Sequence, residues 1–146
     1  MSVVIADVDD VADMVAGLGA GAAGLWFAAH EAHGALVAQW MRSEVDVVIA
    51  VGPVYTTDEQ HALFGNIPAG AQICRVLIDA AIATTWERVS RDRRTGMSGQ
   101  RDFHERMHER FRTLRPDIPA DLVFDSHQMT AAAIASTIFS AIATAS

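Results

Sequence analysis

Residues 45–51 (VDVVIAV) form a nearly continuous apolar run rich in β-branched side chains, closed by Gly52-Pro53. Apart from Asp46 it carries no polar position on either face. A strand of that kind belongs in a parallel sheet covered by helices on both sides, not in a sheet with one wet face. Three shorter runs repeat the pattern: 3–6 (VVIA), 73–78 (ICRVLI) and 122–124 (LVF). The stretches between them read as helices. Residues 25–42 and 81–93 are two. A third runs from an Asp102 cap to Leu114 with Phe103, Met107, Phe111 and Leu114 on one stripe, and is stopped by Pro116 and Pro119. A capping box of Thr57 with Gln60 predicts a short helix to about Phe64. A Thr130 cap predicts a last helix with Ile134, Ile138 and Ile142 in line, and residues 8–15 suggest a short one after the first strand. Strands alternating with helices imply an α/β fold with right-handed crossovers.

In such sheets ligands bind beyond the carboxyl ends of the strands. Asp7, Asp9, Gly52, Asp79 and Asp125 all fall at those ends. The chain of 146 residues is one domain's worth. Its lone cysteine, Cys74, rules out an internal disulfide framework and fits a reducing compartment. The first ten residues hold three acids and no basic, apolar leader. The apolar segment 129–145 is broken by Ser136, Thr137 and Ser140 and is too short to span a bilayer. A soluble cytoplasmic protein with no membrane partner is the expectation.

Net charge is −7 and every one of the eleven basic residues is arginine. Nine of them (Arg88, Arg91, Arg93, Arg94, Arg101, Arg106, Arg110, Arg112 and Arg115) lie between 88 and 115 beside four acids, so that stretch is positive and the remainder strongly negative. The acidic remainder argues against nucleic acid as a partner. A cluster of arginines without lysine suits bidentate partners such as carboxylate or phosphate, although a solvated face laced with ion pairs has the same composition.

Three motifs compete for the chemistry. Gly19-x-Gly21-x-x-Gly24, with Asp13-Met14-Val15 before it, resembles the opening of a flavin-binding Rossmann domain. That motif needs a strand running straight into the first glycine, and the preceding ADMVAGL is a weak one. The acid required about twenty positions on would fall near Gln39-Trp40. His104-Glu105-x-x-His108 matches the zincin signature of a zinc metalloprotease, with two histidines one helical turn apart and Glu105 to polarise a water. Arg106 sits inside it, and no third ligand follows convincingly; no metal is expected. His30 and His33 are read as surface residues. The third constellation is the arginine segment itself. A strand, a helix ending in arginines, the polar loop 95–100 and a second arginine-bearing helix make a lid over about 88–115 that could close on phosphates.

On the residues 45–54 (VDVVIAVGPV), 73–92 (ICRVLIDAAIATTWERVSRD), the lid with Ser98 and Arg101-Asp102-Phe103, and 121–126 (DLVFDS), the chain resembles the P-loop small-molecule kinases of the gluconate, shikimate and chloramphenicol phosphotransferase type. The resemblance covers nearly the whole chain and is strongest from Val45 onward. It implies a three-layer α/β domain over 1–146 around a five-stranded parallel sheet ordered 2-3-1-4-5, with ATP and Mg²⁺ as cofactors and a small hydroxylic molecule as substrate. By position it assigns Asp7 and Asp9 to substrate contact or activation, and Arg91, Arg94 and Arg101 to the lid. Arg88, Asp125, Ser126 and His127 would lie near the adenine, and Asp46 would be structural. It also implies that the first, central strand and its G-x-x-x-x-G-K-[ST] loop should precede Val3. No lysine is present, and Val51 stands where relatives commonly carry aspartate before Gly-Pro. The expectation is a P-loop-kinase-like domain missing its first strand, inactive as written; truncation is preferred over degeneration. A non-catalytic binding or assembly domain is the alternative, and open sheet edges make a homo-oligomer possible.

Overall fold

A computed structural model describes residues 1–15, 19–92 and 97–145. They form two compact units, Met1–Ala71 and Gln72–Ser146. Each unit holds one two-stranded parallel sheet with its helices, so the architecture is α/β.

In the first unit β1 (Val3–Asp7) pairs with β2 (Val47–Val51), from Val3 opposite Val47 to Asp7 opposite Val51. The expected strand at 45–51 starts two residues late because its partner starts at Val3. Asp46, just ahead of β2, accepts from the Ser2 amide at 2.5 Å and the Ser2 hydroxyl at 3.0 Å. These bonds hold its carboxyl below the ordinary value near 3.8, the backbone bond most of all, against an opposing desolvation effect. Helix α1 (Val8–Ala12) follows β1 directly, with the Asp7 carboxylate capping it through the Asp9 amide at 3.0 Å. The short α2 (Gly19–Ala22) ends where Gly24, at φ +73°, turns the chain into α3 (Trp26–Met41).

The buried positions of α3 are Ala29, His30, His33, Gly34, Val37 and Ala38, one stripe at spacings of one and three. Val37 packs with Ala6 of β1 and Leu63 of α4 (Thr57–Phe64). Gly34 lets the α4 backbone come into direct contact: a Cβ there would fall on the Ala62 carbonyl oxygen. His30 and His33 are each only 1% exposed, which corrects the surface reading. The ring of His33 lies 2.9 Å from the Ala6 carbonyl through Nε2, so Nε2 carries the donating hydrogen. His30 packs edge-on against Trp26, ring centroids 5.2 Å apart.

The capping box of α4 uses Thr56 and Glu59, one residue earlier than expected. The buried Glu59 carboxylate accepts from the Tyr55 and Thr56 amides at 2.8 and 3.0 Å. Among the described residues of this unit only one face of the sheet is covered. Val3, Ile5, Ile49 and Val51 share the other, and Ile5 is 69% exposed. The two-sided burial expected of this run is therefore not met.

In the second unit β3 (Val76–Asp79) pairs with β4 (Leu122–Asp125), from Val76 opposite Leu122 to Asp79 opposite Asp125. The expected strand at 73–78 is shorter because β4 offers no partner before Leu122. Asp121, just ahead of β4, accepts from the Arg75 amide at 2.6 Å, the same clamp that Asp46 makes on Ser2. Helix α5 (Ile82–Arg91) follows β3, then a short turn at Met97–Gly99 and α6 (Arg101–Leu114). Asp102 lies inside the first turn of α6; the cap position is Gln100, whose side chain makes no capping bond. A turn over Arg115–Asp117 with Pro116 ends α6, as expected. The Thr130 hydroxyl accepts from the Ala133 amide at 3.2 Å and caps α7 (Ala131–Ala145). Among the described residues no helix is long and apolar enough to cross a membrane.

Candidate functional site

The four strands end at Asp7, Val51, Asp79 and Asp125, so the polar residues expected at carboxyl ends do stand there, two ends in each unit. In the second unit several polar bonds gather at the turn after β4. Asp125 is exposed and its Oδ1 accepts from the His127 amide at 2.8 Å, while its carbonyl accepts from the Gln128 and Met129 amides. This Asx-type turn carries the chain off the strand and towards α7. Ser126 is tied back to β3, its amide and its hydroxyl both donating to the Asp79 carbonyl, at 2.9 and 3.1 Å.

Arg88, one helical turn before the end of α5, reaches this turn. Its Nη1 donates to Ser126 Oγ at 2.9 Å and its Nη2 to the Ser126 carbonyl at 2.7 Å. Two of its five N–H donors are used this way. Thr84 Oγ1 lies 3.3 Å from His127 Nδ1. Arg115 Nε stands 3.7 Å from Asp79 Oδ2. The structure thus brings Arg88 to the Asp125-Ser126-His127 turn. From it a cleft of about 600 Å³ runs along α7.

Asp7 and Asp9 belong to the first unit. Asp7 is half-buried and engaged as the α1 cap, and Asp9 is exposed. Of the lid arginines, Arg91 pairs with Glu87 at 2.6 Å and Arg101 with Glu105 at 2.7 Å, both along one helix and both largely exposed. Arg101 also lies over the Trp86 ring, 5.4 Å from its centroid. Arg94 lies outside the described residues.

The two short motifs take structural roles. His104 Nε2 is 2.9 Å from Thr85 Oγ1, and its ring packs against Trp86. His108 packs against Phe111, and Glu105 is bound to Arg101. No three His, Cys, Asp or Glu side chains converge as a metal site among the described residues. Gly19 and Gly21 are helical, and of the weak strand expected before them Ala12 ends α1 and residues 13–15 are not strand, while 16–18 lie outside the described residues.

Sequence reasoning did not anticipate Trp86 as the hub between Arg101 and His104, nor Thr84 beside His127. Trp86 directly follows Thr85 on α5, and its signal in the sequence is a large aromatic amid charged residues. No family model, curated protein or solved structure matches the chain.

Proposed function

We propose that the chain is a small-molecule kinase-like domain that holds an anionic nucleotide at the turn after β4 but does not itself transfer phosphate. The observation that carries this reading is the strand pairing. A sheet ordered 2-3-1-4-5 without its first strand leaves two parallel pairs, second with third and fourth with fifth. The pairs β1–β2 and β3–β4 have that pattern, each opened by the same aspartate clamp.

Within the reading, Arg88 and the Asp125-Ser126-His127 turn hold the nucleotide, with Arg88 preset by its two bonds to Ser126. Arg91 and Arg101 carry positive charge on α5 and α6 that screens phosphate once their glutamate partners are exchanged for it. Phosphoryl transfer depends on positioning and charge neutralisation by a backbone cradle and a lysine. The chain has no lysine, and its described carboxylates and histidines form no cation centre, so no Mg²⁺ ligand is assigned.

An NMR titration of the full chain with ATP tests the reading. Saturable amide shifts at Arg88, Ser126 and His127, with no phosphate released or transferred, are expected. Shifts confined to residues 19–24, or none at the β4 turn, would sink it.

A further inference from the structure

The cleft beside the β4 turn is polar at one end and apolar along the rest of its length. At the polar end stand Arg88, Ser126 and the start of α7, with Thr130 and Ala131 in the wall. Along the remainder run Ile134 and Ile138 of α7, facing Ile78 of β3. Ile78 is 54% exposed, a large apolar side chain at an open face. Among the described residues, Arg88 is the one charged residue in the lining and no carboxylate is there to receive a cation. A fifteen-residue helix adds the partial positive charge of its N-terminus at the same end as the guanidinium. The volume, about 600 Å³, is that of a small-molecule site.

From this arrangement we infer that the cleft binds an amphipathic carboxylate, its head on Arg88 and its hydrocarbon chain along Ile78, Ile134 and Ile138. A nucleotide held at the β4 turn would leave the apolar length beyond it unfilled, since no aromatic ring is among the described residues that line it. An amphipathic amine meets the wrong charge at the head position. The two N–H donors of Arg88 already given to Ser126 fix the plane of the guanidinium, and the carboxylate takes donors that remain. The inference shares Arg88 with the nucleotide reading and does not rest on it.

The test uses the full chain with isoleucine methyl labels, titrated with decanoate below its micelle concentration and, separately, with decanol and decyltrimethylammonium. Decanoate is expected to shift the methyls of Ile78, Ile134 and Ile138 saturably, at least tenfold more tightly than either other amphiphile. R88M should weaken decanoate by about tenfold or more and leave decanol unchanged. I138S, which keeps Arg88 in place, should weaken decanoate by a similar factor through the apolar end. Equal affinity for decanoate and decanol, unaffected binding in either variant, or non-saturating shifts centred on Ile5 and Ile49 would overturn the inference. If ATP leaves the β4 turn unshifted while decanoate binds as described, the nucleotide reading alone fails.

Discussion

Replacing Gly34 by alanine sets two physical effects against each other with opposite signs. An alanine in mid-helix is favoured over glycine by about 1 kcal/mol, so propensity alone makes Gly34→Ala stabilising. Packing says the reverse. The new Cβ would lie on the Ala62 carbonyl oxygen, 2.9 Å from the Ala62 carbonyl carbon and 3.0 Å from Leu63 Cα. All of these are backbone atoms, so no side chain can swing aside. Carbon pairs settle at about 3.5–4.0 Å, so α4 must retreat by roughly 1 Å. That movement loosens Leu63, 5% exposed, from Val37 and Ala6, where such a gap forfeits a quarter to a half of each contact's attraction. Overpacking of this kind costs about 1–3 kcal/mol and outweighs the propensity gain. The expected result is a net loss of roughly 1–2 kcal/mol, read as a lower urea midpoint at unchanged slope by far-UV circular dichroism. Gly24→Ala is the control: its positive φ costs about 1 kcal/mol, but no atom lies within 4 Å of the added carbon, so the loss comes without helix displacement. A Gly34→Ala protein as stable as the parent, or more so, would refute the close-contact account of α3 and α4.

His33→Leu keeps the volume but removes the donor facing the Ala6 carbonyl, and should cost about 1–3 kcal/mol in the same denaturation assay. Glu59→Ala orphans two amide donors at the entry to α4 and should cost at least as much, about 2 kcal/mol, with a rise in hydrogen exchange at Tyr55 and Thr56. For Asp46 the folded carboxyl titrates below its unfolded value, so its contribution is complete above about pH 3.8 and is lost as pH falls through the lower folded value. Asp46→Asn should therefore be less stable than the parent at neutral pH, and the difference should vanish in acid. A difference independent of pH would rule out the clamp. Ile5→Ser with Ile49→Ser should lower binding of a hydrophobic dye, since both lie on the uncovered face of the first sheet.

The strands were legible because β-branched apolar runs bounded by Gly, Pro or Asp have few other uses. Their ends were not, since a strand's length depends on its partner: Ile73 and Cys74 read as strand but stand before the first residue of β4. The α4 cap shows the limit of local pattern. The stretch TTDEQ contains two overlapping capping boxes, and only packing selects Thr56 with Glu59, because Glu59 is the one that turns inward. His30 and His33 were misplaced by polarity, although they share a stripe with Ala29, Gly34 and Ala38. Those small residues mark the face that comes closest to its neighbour, and a histidine on such a face is buried with it. In the site, the four residues of the β4 turn were named from the sequence. The lid arginines were named too, and for Arg91 and Arg101 the ion-paired face weighed beside phosphate binding is the arrangement present.

Strand-end aspartates look like ligand residues because they stand at the carboxyl edge, yet the structure shows each of them engaged by the chain itself. Asp7 caps α1, and Asp125 receives the His127 amide. Asp79 faces Arg115, and its carbonyl holds Ser126. These are bonds that help a parallel strand end abruptly and turn into a helix, so acids are useful there whether or not the chain binds anything. The distinguishing feature of the β4 turn is the residue that comes to it from elsewhere. Arg88 crosses from α5 to Ser126, thirty-eight positions away, and no turn requires it. A cation brought that far, with donors left over after its structural bonds, is the stronger mark of a ligand site than any acid at a strand end.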